Sequence, residues 1–167
     1  MVEKESVLIK KVKEAFRDAI LETTVFRGEI THLVEKSAIL SLCTFLKNDS
    51  ELKMNYLVDV IGVDYQPREP RFEVVYHLYS ISRRHRVRLK VRLAEGEAVA
   101  SVANVWKGAD WPEREAYDMF GIVFEGHPEL KRIYMAEDWE GFPLRKDYPL
   151  RGFKDRYNPY GVDKEEN

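Results

Sequence analysis

Phe72-Glu-Val-Val-Tyr-His-Leu-Tyr-Ser80 and His85-Arg-Val-Arg-Leu-Lys-Val-Arg-Leu93 decide the fold class. In the first, Phe72, Val74, Tyr76 and Leu78 alternate with Glu73, Val75, His77 and Tyr79. In the second, Val87, Leu89, Val91 and Leu93 alternate with Arg86, Arg88, Lys90 and Arg92. A period of two is the mark of a strand with unlike faces. The intervening Ser80 to His85 predicts a hairpin connection. Just upstream, Tyr56-Leu-Val-Asp-Val-Ile-Gly-Val-Asp-Tyr65 is almost continuously apolar or β-branched, which predicts a strand buried on both faces.

Towards the N-terminus, Leu8 or Ile9, Val12, Ala15, Phe16, Ala19 and Ile20 recur every three or four residues, predicting a helix over 3–22. Thr23 to Phe26 and Ile30 to Val34 are β-branched runs around Gly28, predicting a hairpin. Ser37 is suited to N-cap a second helix whose stripe is Ile39, Leu42, Cys43 and Leu46, ending at Asn48 and Asp49. The order helix, two strands, helix, three strands predicts an α+β domain over 1–120. Its helices lie on one face of a mixed, mainly antiparallel sheet.

Beyond Gly96 the pattern changes. Ser101 to Trp106 is compatible with a short helix. Asp110-Trp-Pro-Glu113 reads as the start of another, with an Asp cap, an early Pro and a capping-box Glu, and Gly121 reads as its stop. From 121 to 167 no period persists. Four of the seven prolines and five of the nine glycines fall there, with eight aromatics. Disordered tails are poor in aromatics, so this stretch predicts an extended arm that gains order on another surface.

Composition narrows the function. The 167 residues are 44% apolar and carry a net charge of −2 with 34% charged residues, which favours neither nucleic acid nor an acidic tail. Cys43 is the single cysteine; a Cys-ligated cluster or Cys-rich zinc site needs several thiolates, and the stripe makes it a core residue. The N-terminus does not read as a signal or transit peptide, and no run approaches ~18 apolar residues. The expectation is a soluble chain.

Candidate chemistry concentrates in Glu113-Arg-Glu-Ala-Tyr-Asp118. On a helix Glu115 and Asp118 share a face, and Arg114 can pair with Asp118. With His127 these carboxylates could serve acid–base work or hold a metal. The plainer reading is a helix whose charges cap, pair and dock, with His127 fixing a turn and Pro128 opening a short helical turn. The Glu-x-x-His repeats of a di-iron site are missing. The row Arg83, Arg84, Arg86, Arg88, Lys90 and Arg92 could bind phosphate or RNA. Its alternation favours a solvated or partner-facing strand, and basic charge also protects an edge strand.

The stretch Glu113-Arg-Glu-Ala-Tyr-Asp-Met-Phe-Gly-Ile-Val-Phe-Glu-Gly-His-Pro-Glu-Leu-Lys-Arg-Ile133 resembles the signature of the 30 kDa-type (C-type) component of respiratory NADH:quinone oxidoreductase (complex I). Glu137-Asp-Trp-Glu-Gly-Phe-Pro-Leu-Arg-Lys-Asp-Tyr-Pro-Leu150 resembles the same family's arm, and Leu57 to Tyr65 and Phe72 to Leu78 its central strands. Lys131 and Phe142 depart from the common arginine and histidine. The resemblance implies a two-layer domain and an arm wrapping the large quinone-site (49 kDa-type) subunit in a hetero-oligomer. The expected location is the cytoplasmic side of a bacterial inner membrane. It implies no catalytic, cofactor or metal residue in this chain, with flavin, iron–sulfur clusters and quinone in partner subunits, and no nucleic acid. The chain's end soon after the arm argues against the form fused to the quinone-site subunit. Docking residues carried over are Glu113, Arg114, Glu115, Tyr117, Asp118, Phe120, Gly121, His127 and Pro128 in the first stretch. In the second they are Trp139, Pro143, Leu144, Arg145, Asp147 and Tyr148. Related subunits in membrane-bound nickel–iron hydrogenases and in ferredoxin- or F420-linked complexes leave the electron donor open.

Overall fold

The computed structural model describes residues 2–163. Helix α1 spans Val2–Ala15 and buries Leu8 and Val12 completely, one turn apart. It stops earlier than the apolar spacing predicts. A short 3-10 turn, Arg17–Ala19, intervenes, and Ile20 opens strand β1, Ile20–Phe26, where it pairs with Val34. Sheet pairing outweighs the weak helical preference of β-branched residues here. Strand β2, Glu29–Val34, returns antiparallel through Arg27 and Gly28. Both have positive φ, 51° and 80°, as a two-residue primed turn requires.

Helix α2, Ile39–Asn48, buries Ile39, Leu42, Cys43 and Leu46 as its stripe predicts. Ser37 is not its cap. It lies in a 3-10 turn, Lys36–Ala38, that leads into the helix, and no side chain caps the end.

Strands β3 (Tyr56–Asp64), β4 (Phe72–Ser80) and β5 (His85–Leu93) complete a five-stranded sheet in the order β1-β2-β5-β4-β3. Every pairing is antiparallel except β2–β5. Two expectations are corrected. β3 is an edge strand, with Tyr56, Val58 and Ile61 exposed, because an apolar run does not itself fix a strand's place. β5 is the middle strand, so its basic residues cannot be edge protection. The inward residues Val74, Tyr76, Leu78, Val87, Leu89, Val91 and Leu93 form one core with α1 and α2. A fully buried Leu contributes about 1.5–3 kcal/mol.

Two three-residue strands escape sequence reading, being too short to show a period. β6, Ala98–Ala100, pairs in parallel with β7, Val123–Glu125. Ser101 to Trp106 holds turns instead of a helix; the 3-10 turn follows at Lys107–Ala109. Helix α3, Asp110–Phe120, packs on β3 at Gly62, where a Cβ would lie 2.8 Å from Phe120 Cδ2 and 3.2 Å from Ile122 Cδ1. Among the described residues after β7 there is no helix and no strand, only an isolated bridge between Phe153 and Val162.

Candidate docking site

Helix α3 divides its charged residues between the domain and the C-terminal segment. Glu113 is fully buried; its carboxylate accepts from Ser101 Oγ at 2.5 Å and from the Val102 amide at 2.8 Å. It therefore clamps the loop after β6, instead of capping its own helix as the capping-box reading expected. Asp110 is not a cap either: no side-chain cap bond forms, and its Oδ1 is enclosed without a hydrogen-bond partner. His127 Nε2 donates to the Asp110 carbonyl at 3.1 Å, and its Nδ1 accepts from the Glu129 amide at 3.0 Å. The imidazole thus fixes a turn, as expected, although Pro128 starts no helix. Burial pushes the Glu113 carboxyl up to about 7, against the hydrogen bonds from Ser101 and Val102.

Asp118 holds the segment. Its Oδ2 accepts the amides of Ile133, Tyr134 and Met135 at 3.0, 2.7 and 3.0 Å, and its Oδ1 accepts from Arg132 Nη1 at 2.7 Å. Burial opposes its ionisation, but these donors outweigh it and the pKa falls below the ordinary value. Arg132 donates on to the carbonyls of Trp139 and Gly141 at 3.1 and 3.0 Å. The expected Arg114–Asp118 pair is replaced. Arg114 turns to the carbonyls of Lys131 and Arg132, at 3.0 and 3.4 Å, and stacks over Trp111. Glu115 does not share Asp118's environment: it is exposed, 3.5 Å from the Tyr134 hydroxyl. Tyr117 is half-buried, and its carbonyl accepts from the Gly121 amide at 2.8 Å.

A second hub fastens the segment further on. Arg71, 5% exposed at its side chain, donates to both oxygens of Asp64 at 3.1 and 2.8 Å, and to Glu95 and Asp147 at 2.9 Å each. Asp64 also accepts the Lys146 amide at 2.9 Å. Burial works against the charge on Asp64, yet Arg71 and the amides of Gln66 and Lys146 hold it well below the usual carboxylate range. Arg145 donates to the Phe120 carbonyl at 2.6 Å and to Glu95 at 2.7 Å, and its guanidinium covers Phe142. Gly121 makes this approach possible. Its φ is +77°, and a Cβ there would meet Arg145 and Phe142 at 2.7 Å.

The Leu144 amide donates to the Met119 carbonyl at 3.1 Å while its side chain is exposed. Pro143 is half-buried and Pro128 exposed. Trp139 packs near Tyr157, and Tyr148 meets Phe153 edge-on at 5.3 Å. Arg71, Asp64, Glu95 and the role of Arg132 were missed by sequence reasoning. The available signal was Asp64 and Arg71 flanking the loop between two strands, with a basic and an acidic residue, Arg145 and Asp147, free to complete the set. Among the described residues, no group of three or more His, Cys, Asp or Glu is arranged to hold a metal ion.

Such a molecule is a two-layer α+β module whose buried charges fix the path of a long irregular segment. The chain belongs to the family described as respiratory-chain NADH dehydrogenase, 30 Kd subunit, which matches residues 32–154. It is 50% identical over 152 residues to a C-type component of the NADH-quinone oxidoreductase of Rhizobium etli, covering 91% of this chain and 81% of that one. It is 52% identical over 143 residues to the C-type component of the NADH-quinone oxidoreductase of Geotalea uraniireducens, covering 85% and 86%. A chain in the structure of the membrane-bound sulfane sulfur reductase, an archaeal respiratory membrane complex, shares the fold. The TM-score is 0.77 at 23% identity, over 98% of this chain and 95% of that one.

Proposed function

We propose that this chain is a non-catalytic accessory subunit in the peripheral arm of a proton-translocating NADH:quinone oxidoreductase, where its C-terminal segment holds the large quinone-site subunit. The observation that carries the reading is how that segment is held. Up to Tyr148 its backbone is fastened through Asp118 and through Asp64, which Arg71 holds; there Tyr134 and Leu144 point outward, at 62 and 55% exposure, while Leu150, Tyr157 and Tyr160 stand on the stretch beyond, at 104, 49 and 88%. A fixed backbone displaying large apolar side chains is a pre-ordered interface, since aromatic anchors dominate binding energy and prior ordering reduces its entropic cost.

Flavin, iron–sulfur clusters and quinone reside in the neighbouring subunits in this reading. The complex lies at the cytoplasmic side of a bacterial inner membrane; among the described residues no helix is long and apolar enough to cross one. The test is isolation of the native complex through a tag on this chain, with identification of each co-purifying subunit. The large quinone-site subunit is expected among them. A chain truncated before Glu137 is expected to fold yet fail to retain it. A truncated chain that assembles normally, or a stoichiometric flavin or cluster in the purified single chain, defeats the reading.

A further inference from the structure

The helices cover one face of the sheet; the other face carries a charge arrangement that the docking segment does not use. On β5, the middle strand, Arg86, Arg88, Lys90 and Arg92 all project to that face. Alternate residues of a strand are about 7 Å apart, so the row repels itself. Compensation within the chain is incomplete. Arg88 has its own partner in Glu29 at 2.8 Å. Lys90, Arg92 and Arg68 instead converge on one carboxylate, Glu73, at 2.8, 3.7 and 3.6 Å. Glu73 is only 2% exposed. Three cations against one carboxylate leave two positive charges at this point of the face.

Of the three cations, Arg68 is only loosely paired. It reaches in from the β3–β4 loop and lies 3.8 Å over the Tyr65 ring. Its Nε and Nη2 are enclosed and make no hydrogen bond; Nη2 has only the Glu73 carboxylate at 3.6 Å, beyond hydrogen-bond reach, a weak compensation for a charged donor. The surroundings are apolar. Lys90 stands opposite both Leu33 and Val75 in register, which are 8 and 7% exposed, and Ile61 is exposed on the neighbouring edge strand.

We propose that this outer face, centred on Arg68, Lys90 and Arg92, docks an acidic, partly apolar protein surface of a second neighbouring subunit, with a partner carboxylate entering between Arg68 and Arg92. That carboxylate would offset the surplus charge beside the Arg68 and Arg92 side chains, which are 38 and 42% exposed, while Ile61 gains apolar cover. A nucleic acid fits less well. Glu73 sits at the centre of the cations, and the aromatic rings that could stack on bases, Tyr65 and Tyr79, are already covered by Arg68 and Arg86. The proposal rests on the chain's place in a multisubunit complex.

The experiment is zero-length carbodiimide cross-linking of the native complex, purified by a tag on this chain, because the reagent joins a lysine amine only to a carboxylate in contact with it. Lys90 is expected in a peptide joined to an Asp or Glu of another subunit. Arg92→Glu, made in the full chain, is expected to lower recovery of that subunit at least about tenfold, as facing like charges oppose binding strongly, while Arg92→Lys retains it. The large quinone-site subunit, held by the C-terminal segment, remains in both variants. A wild-type complex in which Lys90 is joined to Glu73 alone and stays open to amine labelling overturns the proposal, whatever the variants do. So does nuclease-sensitive nucleic acid that Arg92→Glu releases in place of a subunit. Failure to recover any complex with the wild-type chain would instead bring down the accessory-subunit reading beneath it.

Discussion

Asp118 and Glu115 are three residues apart on one short helix, and their environments separate them sharply. Asp118→Ala removes the acceptor of three backbone amides and of Arg132. Stripping one partner from a buried ion pair costs about 3–5 kcal/mol, so the unfolding midpoint in urea is expected to drop steeply and assembly with it. Glu115→Ala is expected to change stability by no more than about 0.5 kcal/mol, as for exposed residues; equal losses in the two variants would contradict the assignment. Glu113 behaves in the opposite sense to Asp118 as pH varies. Its carboxyl rises from an ordinary 4.5 to about 7 in the fold, so between those values the folded state holds the proton and the unfolded state releases it. Stability supplied by this group is present below pH 4.5 and is lost as pH rises to 7, by about 3 kcal/mol. His32, which burial and then Lys13 lower to about 4, contributes a slope of the other sign between pH 4 and 6.5. The quantity to measure is therefore the difference between wild type and Glu113→Gln in urea unfolding. Wild type is expected to lose ground between pH 5 and 8, and a flat difference would show that Glu113 keeps its charge. The charged signature was visible in the sequence as a cluster, but its pairings were not. Helical spacing offered Arg114 to Asp118, whereas the true partner, Arg132, comes from a loop whose path no local rule determines.

At the scale of elements, those with a sustained period were legible. The β4–β5 alternation, the α2 stripe and the β1–β2 turn at Gly28 are all present. Those too short to repeat a period, β6 and β7 with three residues each, were not. The order of the strands was illegible for a different reason: β3 and β5 reveal which face is apolar, not which neighbour each strand finds. The aromatic, aperiodic C-terminal segment predicts order taken from a partner. Up to Tyr148, its backbone is bonded to Asp118, Asp64 and Met119, and its Arg145 side chain to the Phe120 carbonyl. From 149 on, the described contacts are mainly within the segment itself, such as Asn158 to Arg151 and Lys154 to Val162. Trypsin acting on the free chain is therefore expected to cut first at Arg151, Lys154 or Arg156, leaving Arg145 protected by its bonds to Phe120 and Glu95. Initial cleavage at Arg145 would mean that the Arg71 hub does not hold the segment without a partner.

For the whole molecule, the parallel join between β2 and β5 has a consequence in time. Ile30 pairs with Val87, so the N-terminal hairpin is synthesised long before the strand it leans on. At about 5–20 residues per second, a ribosome takes roughly 3–11 s to add the 57 residues from Thr31 through Val87. Through that interval Ile30 and Val34 have no sheet to cover them, and a lone hairpin is marginal in water. The β3–β4–β5 meander is contiguous in sequence and closes over short loops, which favours its forming first. The first part made is then the last part placed. N-terminal fragments ending before Ser80 are expected to exchange their β1–β2 amides freely with solvent, and fragments that include Leu93 to protect them. Protection in the shorter fragments would show that the hairpin needs no neighbour. A nascent chain of this kind is exposed to mispairing at its own beginning until its middle has been translated, and it is there that a chaperone would have to act.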